Sequence, residues 1–445
     1  MPGFQLLHAF VRLMMKKANL VLMAAMAAAG LVGVAGGSLL PVATAVAAAK
    51  EKAADKPKLS ANVGKPLTAV QKAMEEKNYT EAATQLAAAQ AVEPKTPYDV
   101  FMIDEFGWSL ALQQKDYVKS AEALERTLNS GFVPEANRPQ RLRALTQMSL
   151  QNKQYPKAIQ YGDEYLKSTP TDTEIALQLA QARYLSGDMA GAKAAAEKLV
   201  ASTPTPPEPA LLLVLRASYE AKDTAGTTKA LEGLVRHYPQ KKYWEDLLND
   251  QLFRTKDDRG LRALYRLMND TSTVDKPDDY AEMGSSLVTA GFPNEAKQVL
   301  ERGMAANVFS GEAKARVQGE LDRAKSGAAV DAKDIATADK QLAAAKTGNE
   351  MIGIGKLYFS AGDYAKAADA LQKGLARGGV QDADDANMLL GIANARLGKA
   401  PEAKVAFDAV KNPTLTEVAR LWKLKLDVDT APPAATAATP PPPAG

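Results

Sequence analysis

Cysteine is absent from the 445-residue chain. That gap excludes a disulfide framework, a thiolate nucleophile and a thiol acceptor for lipid. Histidine occurs only at His8 and His237, so beyond the N-terminal segment neither a Ser-His-Asp constellation nor a two-histidine metal site can be assembled. Aromatic residues make up 6%, and long stretches lack the β-branched alternation that strands need. Charge of one sign is missing too. Arg12, Lys16 and Lys17 account for three of the 55 basic residues and lie in a segment, 1–49, without an acid; the remaining 52 face 52 acids. A balanced chain is not built to neutralise phosphates in number, which argues against nucleic-acid binding.

What is present is alanine, in helical patterns too long for one ordinary core, so several domains or one extended array is expected. At the N-terminus, Lys16-Lys17 precede "ANLVLMAAMAAAGLVGVAGGSLL" and the small-residue sites "ATA" (43–45) and "AVA" (45–47). Residues 1–49 therefore read as an export signal peptide or, because the apolar run is about as long as a bilayer is thick, an uncleaved inner-membrane anchor. Met1, Met14 and Met15 are all candidate starts. Export places the chain in the periplasm. Residues 50–64, rich in Lys and Ala, read as a flexible linker, and 430–445, ending "APPAATAATPPPPAG", as a polyproline-type disordered tail.

Between these segments the chain repeats itself. "VLERGMAANVF" (299–309), "ALQKGLARGGV" (370–380) and "ALERTLNSGFV" (123–133) share leucines at 300, 371 and 124, separations that fit a period of about 35 residues. "IGKLYFSAGDYAKAADAL" (354–371) and "LGIANARLGKAPEAKVAF" (390–407) share one scheme of glycines, an alanine and a large apolar residue. It resembles the tetratricopeptide pattern L-G-x2-Y, A-x3-F, P. The residues that carry the resemblance are Pro239, Tyr243, Trp244, Gly284, Ala296, Gly355, Tyr358, Gly362, Ala367, Gly391 and Ala403.

That family's fold implies an all-α superhelical solenoid of about ten helix-turn-helix units over residues 65–413: an N-terminal array (65–309), a divergent charged unit (310–347) turning at Ser326-Gly327, and a C-terminal pair (348–413). Small residues are expected where the two helices of a unit approach: Ala82, Ser120, Ala158, Ala192, Thr227, Leu261, Ala296, Ala367 and Ala403. A closing helix, 414–429, would put Leu415, Val418, Leu421, Trp422 and Leu424 inward to hide the last apolar face.

No motif supplies catalysis. "GWSLA" (107–111) lacks the final glycine of a nucleophile elbow, and "GIGK" (353–356) lacks the first glycine and the Ser/Thr of a phosphate loop. The acidic pairs Asp257-Asp258, Asp278-Asp279 and Asp384-Asp385 fall at helix starts, where carboxylates cap. No enzyme activity, cofactor or metal is expected. Function is expected from shape, with first-helix faces lining a groove for an extended peptide or partner helix. The candidate groove residues are Arg143, Gln147, Gln181, Tyr184, Arg216, Tyr219, Lys242 and Asn249.

Residues 98–310, and "LVRHYPQKKYW" (234–244) above all, resemble exported proteobacterial tetratricopeptide proteins associated with the TonB/ExbB/ExbD system. The resemblance implies a non-catalytic periplasmic scaffold assisting envelope energy coupling and outer-membrane transport. TonB, ExbB, ExbD or a receptor would be its partners. The alternative is a scaffold for polysaccharide export or outer-membrane protein assembly. Within "RHYPQKKYW" (236–244), Pro239 is read as a helix stop, Trp244 as inter-helix packing, and Lys241 and Lys242 as the partner candidates.

Overall fold

The computed structural model describes residues 57–431. The sequence readings of 1–49, of the first part of the linker and of the tail beyond 431 lie outside the described residues. Within them are 21 α-helices and a short 3-10 turn at Glu135–Asn137, and no strand. Most of the first twenty helices pack as consecutive pairs. The first four are α1 (Ala61–Glu75) with α2 (Tyr79–Gln90), α3 (Pro97–Gln113) with α4 (Tyr117–Asn129), α5 (Arg138–Gln151) with α6 (Tyr155–Ser168), and α7 (Thr173–Leu185) with α8 (Met189–Ser202); α9 (Glu208–Glu220) packs on α8, and α10 (Thr224–His237) follows it in the chain. Then come α11 (Lys241–Arg254) with α12 (Asp258–Asp270), α13 (Pro277–Thr289) with α14 (Pro293–Ala305), α15 (Gly311–Ile335), which packs chiefly on α14 and is followed by the short α16 (Ala338–Ala344), α17 (Gly348–Ala361) with α18 (Tyr364–Arg377), and α19 (Ala383–Arg396) with α20 (Ala400–Asp408). The last helix is α21 (Pro413–Thr430).

One local device builds most pairs. The residue before the second helix's cap takes positive φ: Lys77 (58°), Lys115 (60°), Lys153 (57°) and Lys222 (57°), or Gly187, Gly291, Gly362 (85°) and Gly398. The next N–H then closes on the carbonyl five residues back, as in Asn78 to Ala73 and Asp116 to Ala111, both 2.8 Å. This satisfies a carbonyl that the first helix leaves open. The side chains of Asn78, Asp116, Asp188, Asp223 and Asp363 accept the N–H three residues on, capping the second helix. Four residues past the cap, Ala82, Ser120, Ala158, Ala192, Ala296, Ala367 and Ala403 are fully buried. The first helix answers with glycine. A Cβ on Gly284, Gly355 or Gly391 would lie 2.2, 2.7 or 2.5 Å from Leu300, Leu371 or Phe407, closer than any real contact.

Four sequence expectations are corrected. Thr227 and Leu261 are only half-buried. The α11–α12 connection lacks a positive-φ residue, and Gly260 lies inward in place of Leu261, against Thr255 and Thr414. In the divergent unit no turn occurs at Ser326-Gly327, because α15 runs through it. A Cβ on Gly327 would lie 2.8 Å from Pro293, so that glycine admits α14 rather than a turn. Order also begins earlier than expected. Ser60, inside the predicted linker, donates through its N–H and hydroxyl to Asp99 at 2.8 and 2.7 Å, and Val63 is buried. Burial opposes the Asp99 charge, but these bonds and the Thr96 N–H outweigh it and hold its pKa at about 2.

The chain divides into two compact units after Thr227. In the first, Leu124, Leu128, Leu142, Leu145, Tyr161, Tyr165, Ile175 and Leu179 form one core running through α4 to α7. In the second, α21 packs on α12, α19 and α20 as well as following the last pair. Its Leu415, Val418, Leu421, Trp422 and Leu424 are all buried. Trp422 Nε1 donates to the Ala263 carbonyl (3.1 Å), and its ring stacks on Phe407. Arg420 pairs with Glu232, and Asp427 accepts from Arg236 (3.2 Å) and Lys404 (2.7 Å).

Candidate functional site

In the first unit the candidate groove residues sit on the first helices of their pairs and are tied to one another. Arg143 on α5 reaches Asp172 (3.2 Å) and Glu174 (2.8 Å) at the start of α7. Burial raises the Asp172 carboxyl, but the Ile175 N–H, the Tyr165 hydroxyl and Arg143 together hold it below the usual carboxylate range. Gln147 is half-buried, its amide oxygen enclosed without a hydrogen bond. Gln181 and Tyr184 on α7 are buried rather than solvated. Arg216 on α9 lies over the Tyr184 ring, 4.7 Å from its centroid, and bonds Glu220 at 3.0 Å; Glu220 in turn accepts from the Tyr184 hydroxyl (3.4 Å). Tyr219 is half-buried, and neither it nor Arg216 is free. This face is a chain of links between successive pairs, with its polar tips held in place.

In the second unit Lys242 is exposed and lies 4.4 Å from the centroid of Tyr243, and Asn249 is half-exposed two turns along α11. Lys241, read as a partner candidate, is occupied by Asp275 (2.6 Å) and Glu245 (3.4 Å). Tyr243 and Trp244 are buried, and Pro239 follows the end of α10 at His237. Tyr358 is also buried, its hydroxyl on Asp339 at 2.6 Å.

A buried ionic cluster at the centre of the second unit was not read from the sequence. Arg266 on α12 is 2% exposed and grips Glu295 on α14 with three bonds of 2.7–3.0 Å. Arg396 on α19 makes two 3.0 Å bonds to Asp270 and one of 2.7 Å to the Tyr364 hydroxyl. The two guanidinium groups sit over Phe292, Phe359 and Tyr364. Burial raises the Glu295 carboxyl, yet Arg266 and Arg396 hold it below the usual range. The cluster ties α12, α14 and α19 together. Its hydrogen-bonded partners are 29 to 126 positions apart, so no local motif announces it.

A family model described as tetratricopeptide repeat matches residues 109–173 and 352–412. No curated protein matches the chain. Solved structures to which it is similar include one titled "Structure of Naa15/Naa10 bound to HypK-THB" (17% identity, TM-score 0.37, 82% of this chain and 66% of that one). Another is a tetratricopeptide repeat protein from Parabacteroides merdae (12%, 0.29, 60% of this chain and 100% of that one). A third is Pseudomonas aeruginosa pilF (15%, 0.24, 42% and 97%). The chain thus spans about two thirds of the first of these. Tetratricopeptide proteins mediate protein–protein interaction, and arrays of this kind present extended binding surfaces. The two matched segments, 109–173 and 352–412, and helix pairs around them are built with the same turn and the same small-residue packing.

Proposed function

We propose that the protein is a non-catalytic periplasmic scaffold that binds protein partners of the cell envelope, as an accessory of a TonB-type energy-coupling and outer-membrane transport system. The observation that carries the scaffold reading is the row of pre-positioned polar and aromatic side chains on successive first helices, from Arg143 through Tyr184 to Arg216. Such a row presents contacts to a partner with little ordering left to do on binding. The export-type segment 1–49 and the stretch "LVRHYPQKKYW" support the envelope setting. No helix among the described residues is long and apolar enough to cross a membrane.

The test is photocrosslinking in the native envelope, with probes at Arg143, Tyr184 and Asn249, followed by identification of the captured proteins. Enrichment of TonB, ExbB, ExbD or an outer-membrane receptor is expected. Capture of other envelope proteins alone would overturn the TonB-type form and keep the scaffold, whereas no capture at any position would overturn both.

A further inference from the structure

The divergent unit shapes a trough that an ordinary pair would not. Helix α15 is 25 residues long, against 13 or 14 for most first helices. Its inward residues, Val317, Leu321, Ala324 and Ala328, stop short of its end. The last two turns overhang α17, and with α16 they wall a cavity of about 680 Å³. The floor is open: at Gly353, exposed in the middle of α17, no atom lies within 4 Å of where a Cβ would sit. A volume of this size accommodates several side chains of a bound segment.

The lining is acidic. Asp331, Asp334 and Glu350 face the cavity with a single cation, Lys356. Lys356 already bonds Asp385 on α19 at 2.6 Å. The Asp331 carboxylate accepts from the Asn294 amide (3.1 Å), and Glu350 accepts from the N–H groups of Lys346 and Thr347, bonds that leave both charges unneutralised. Among the described residues no three carboxylate or histidine side chains converge closely enough to hold a metal ion. Negative charge spread along an open trough instead complements positive charges spaced along a chain.

From this geometry we infer that the trough between α15, α16 and α17 docks an extended basic peptide segment of a partner, with lysine or arginine side chains lying over Gly353 between Asp331, Asp334 and Glu350. The inference rests on the scaffold reading and names the class of segment bound at this place.

The test uses the full chain and a fluorescein-labelled Ala-Lys-Ala-Lys-Ala-Lys-Ala peptide, with the glutamate-for-lysine peptide as control, followed by fluorescence anisotropy at 50 and 300 mM salt. The lysine peptide is expected to bind and the glutamate peptide not, with affinity falling at the higher salt. Asp331→Asn with Asp334→Asn is expected to weaken binding at least tenfold. Gly353→Leu, which fills the floor, should do the same with the charge intact, and circular dichroism checks that each variant is folded. Lys198→Ala, exposed on α8 and outside every candidate binding residue, is expected to change nothing. Lysine-peptide binding unaltered by both trough variants would overturn the inference, as would equal binding of the two peptides or none. Partner capture through Arg143 or Tyr184 that persists in the trough variants would leave the scaffold reading intact, so the two ideas fail separately.

Discussion

The two units are made of the same helix pairs but are held together differently. Along the first, Ser60–Asp99, Glu105–Arg141 and Lys193–Asp223 join residues 30 to 39 positions apart, each linking one pair to the next. In the second, Arg259–Asp382, Arg396–Asp270 and Trp422–Ala263 join residues 123, 126 and 159 positions apart. A stack of neighbours has a stability that is a sum of local terms, and it frays or opens piecewise. Links that return from the last helix to an early one make the helices between them depend on one another. The first unit is therefore expected to respond to damage locally and the second as a whole.

Removing α21 should show the difference most strongly. A chain ending at Asn412 uncovers the surface held by Trp422 and its neighbours, and amide exchange protection should collapse through α12, α19 and α20 while α3 to α7 keep theirs. Preserved protection in α12 would show that the closure is not cooperative. Next comes the ionic cluster. Arg266→Met leaves the buried Glu295 charge with Arg396 alone, at 3.6 Å, and should cost about 3–5 kcal/mol, whereas Arg266→Met combined with Glu295→Leu should recover most of the loss. Denaturant melts followed by tryptophan fluorescence in a Trp108→Phe background report on this unit alone, since the other two tryptophans are Trp244 and Trp422.

Trp244→Ala, at a buried joint, should cost about 3–5 kcal/mol, while Lys242→Glu leaves the fold intact; an unchanged melting curve for the tryptophan variant would refute the packing account. A smaller effect is expected at Asp279. Burial raises its carboxyl to about 6, and its Oδ2 is enclosed without a hydrogen bond. As pH rises from 4 the unfolded chain ionises first, so this group's contribution to stability is lost as pH climbs through 6. Asp279→Asn should flatten that slope and raise the melting temperature at pH 7.5 by about 2–4 °C; a steeper slope in the variant would reverse the assignment. The smallest change is Lys115→Gly in the first unit. It relieves a left-handed lysine and should stabilise the α3–α4 pair by about 0.5–1 kcal/mol, read as slower amide exchange confined to the neighbouring pairs.

Much of the architecture was legible because the period is local. Gly284 and Ala296, or Gly355 and Ala367, sit twelve positions apart in the chain, close enough for one helix pair to impose both. The misreadings arose where a distant partner decides what a residue does. Gly327 looks like a turn glycine until Pro293 is seen against it, and Leu261 looks inward until Gly260 is found facing Thr414. The groove candidates were legible as positions on first helices, but burial of Gln181 and Tyr184 and capture of Lys241 by Asp275 depend on the neighbouring pair.

By itself the sequence determined the helix pairs, their αL turns and caps and the small residues between them, because each arises from backbone sterics and hydrogen bonds within a few turns. Only the tertiary structure decided that α21 would return to α12, that Arg266, Glu295, Arg396 and Asp270 would share one buried site, and that α15 would overhang Gly353. Those outcomes depend on which surfaces meet across a hundred or more residues, and the free energy of burying charge and apolar area there is not written in any local pattern.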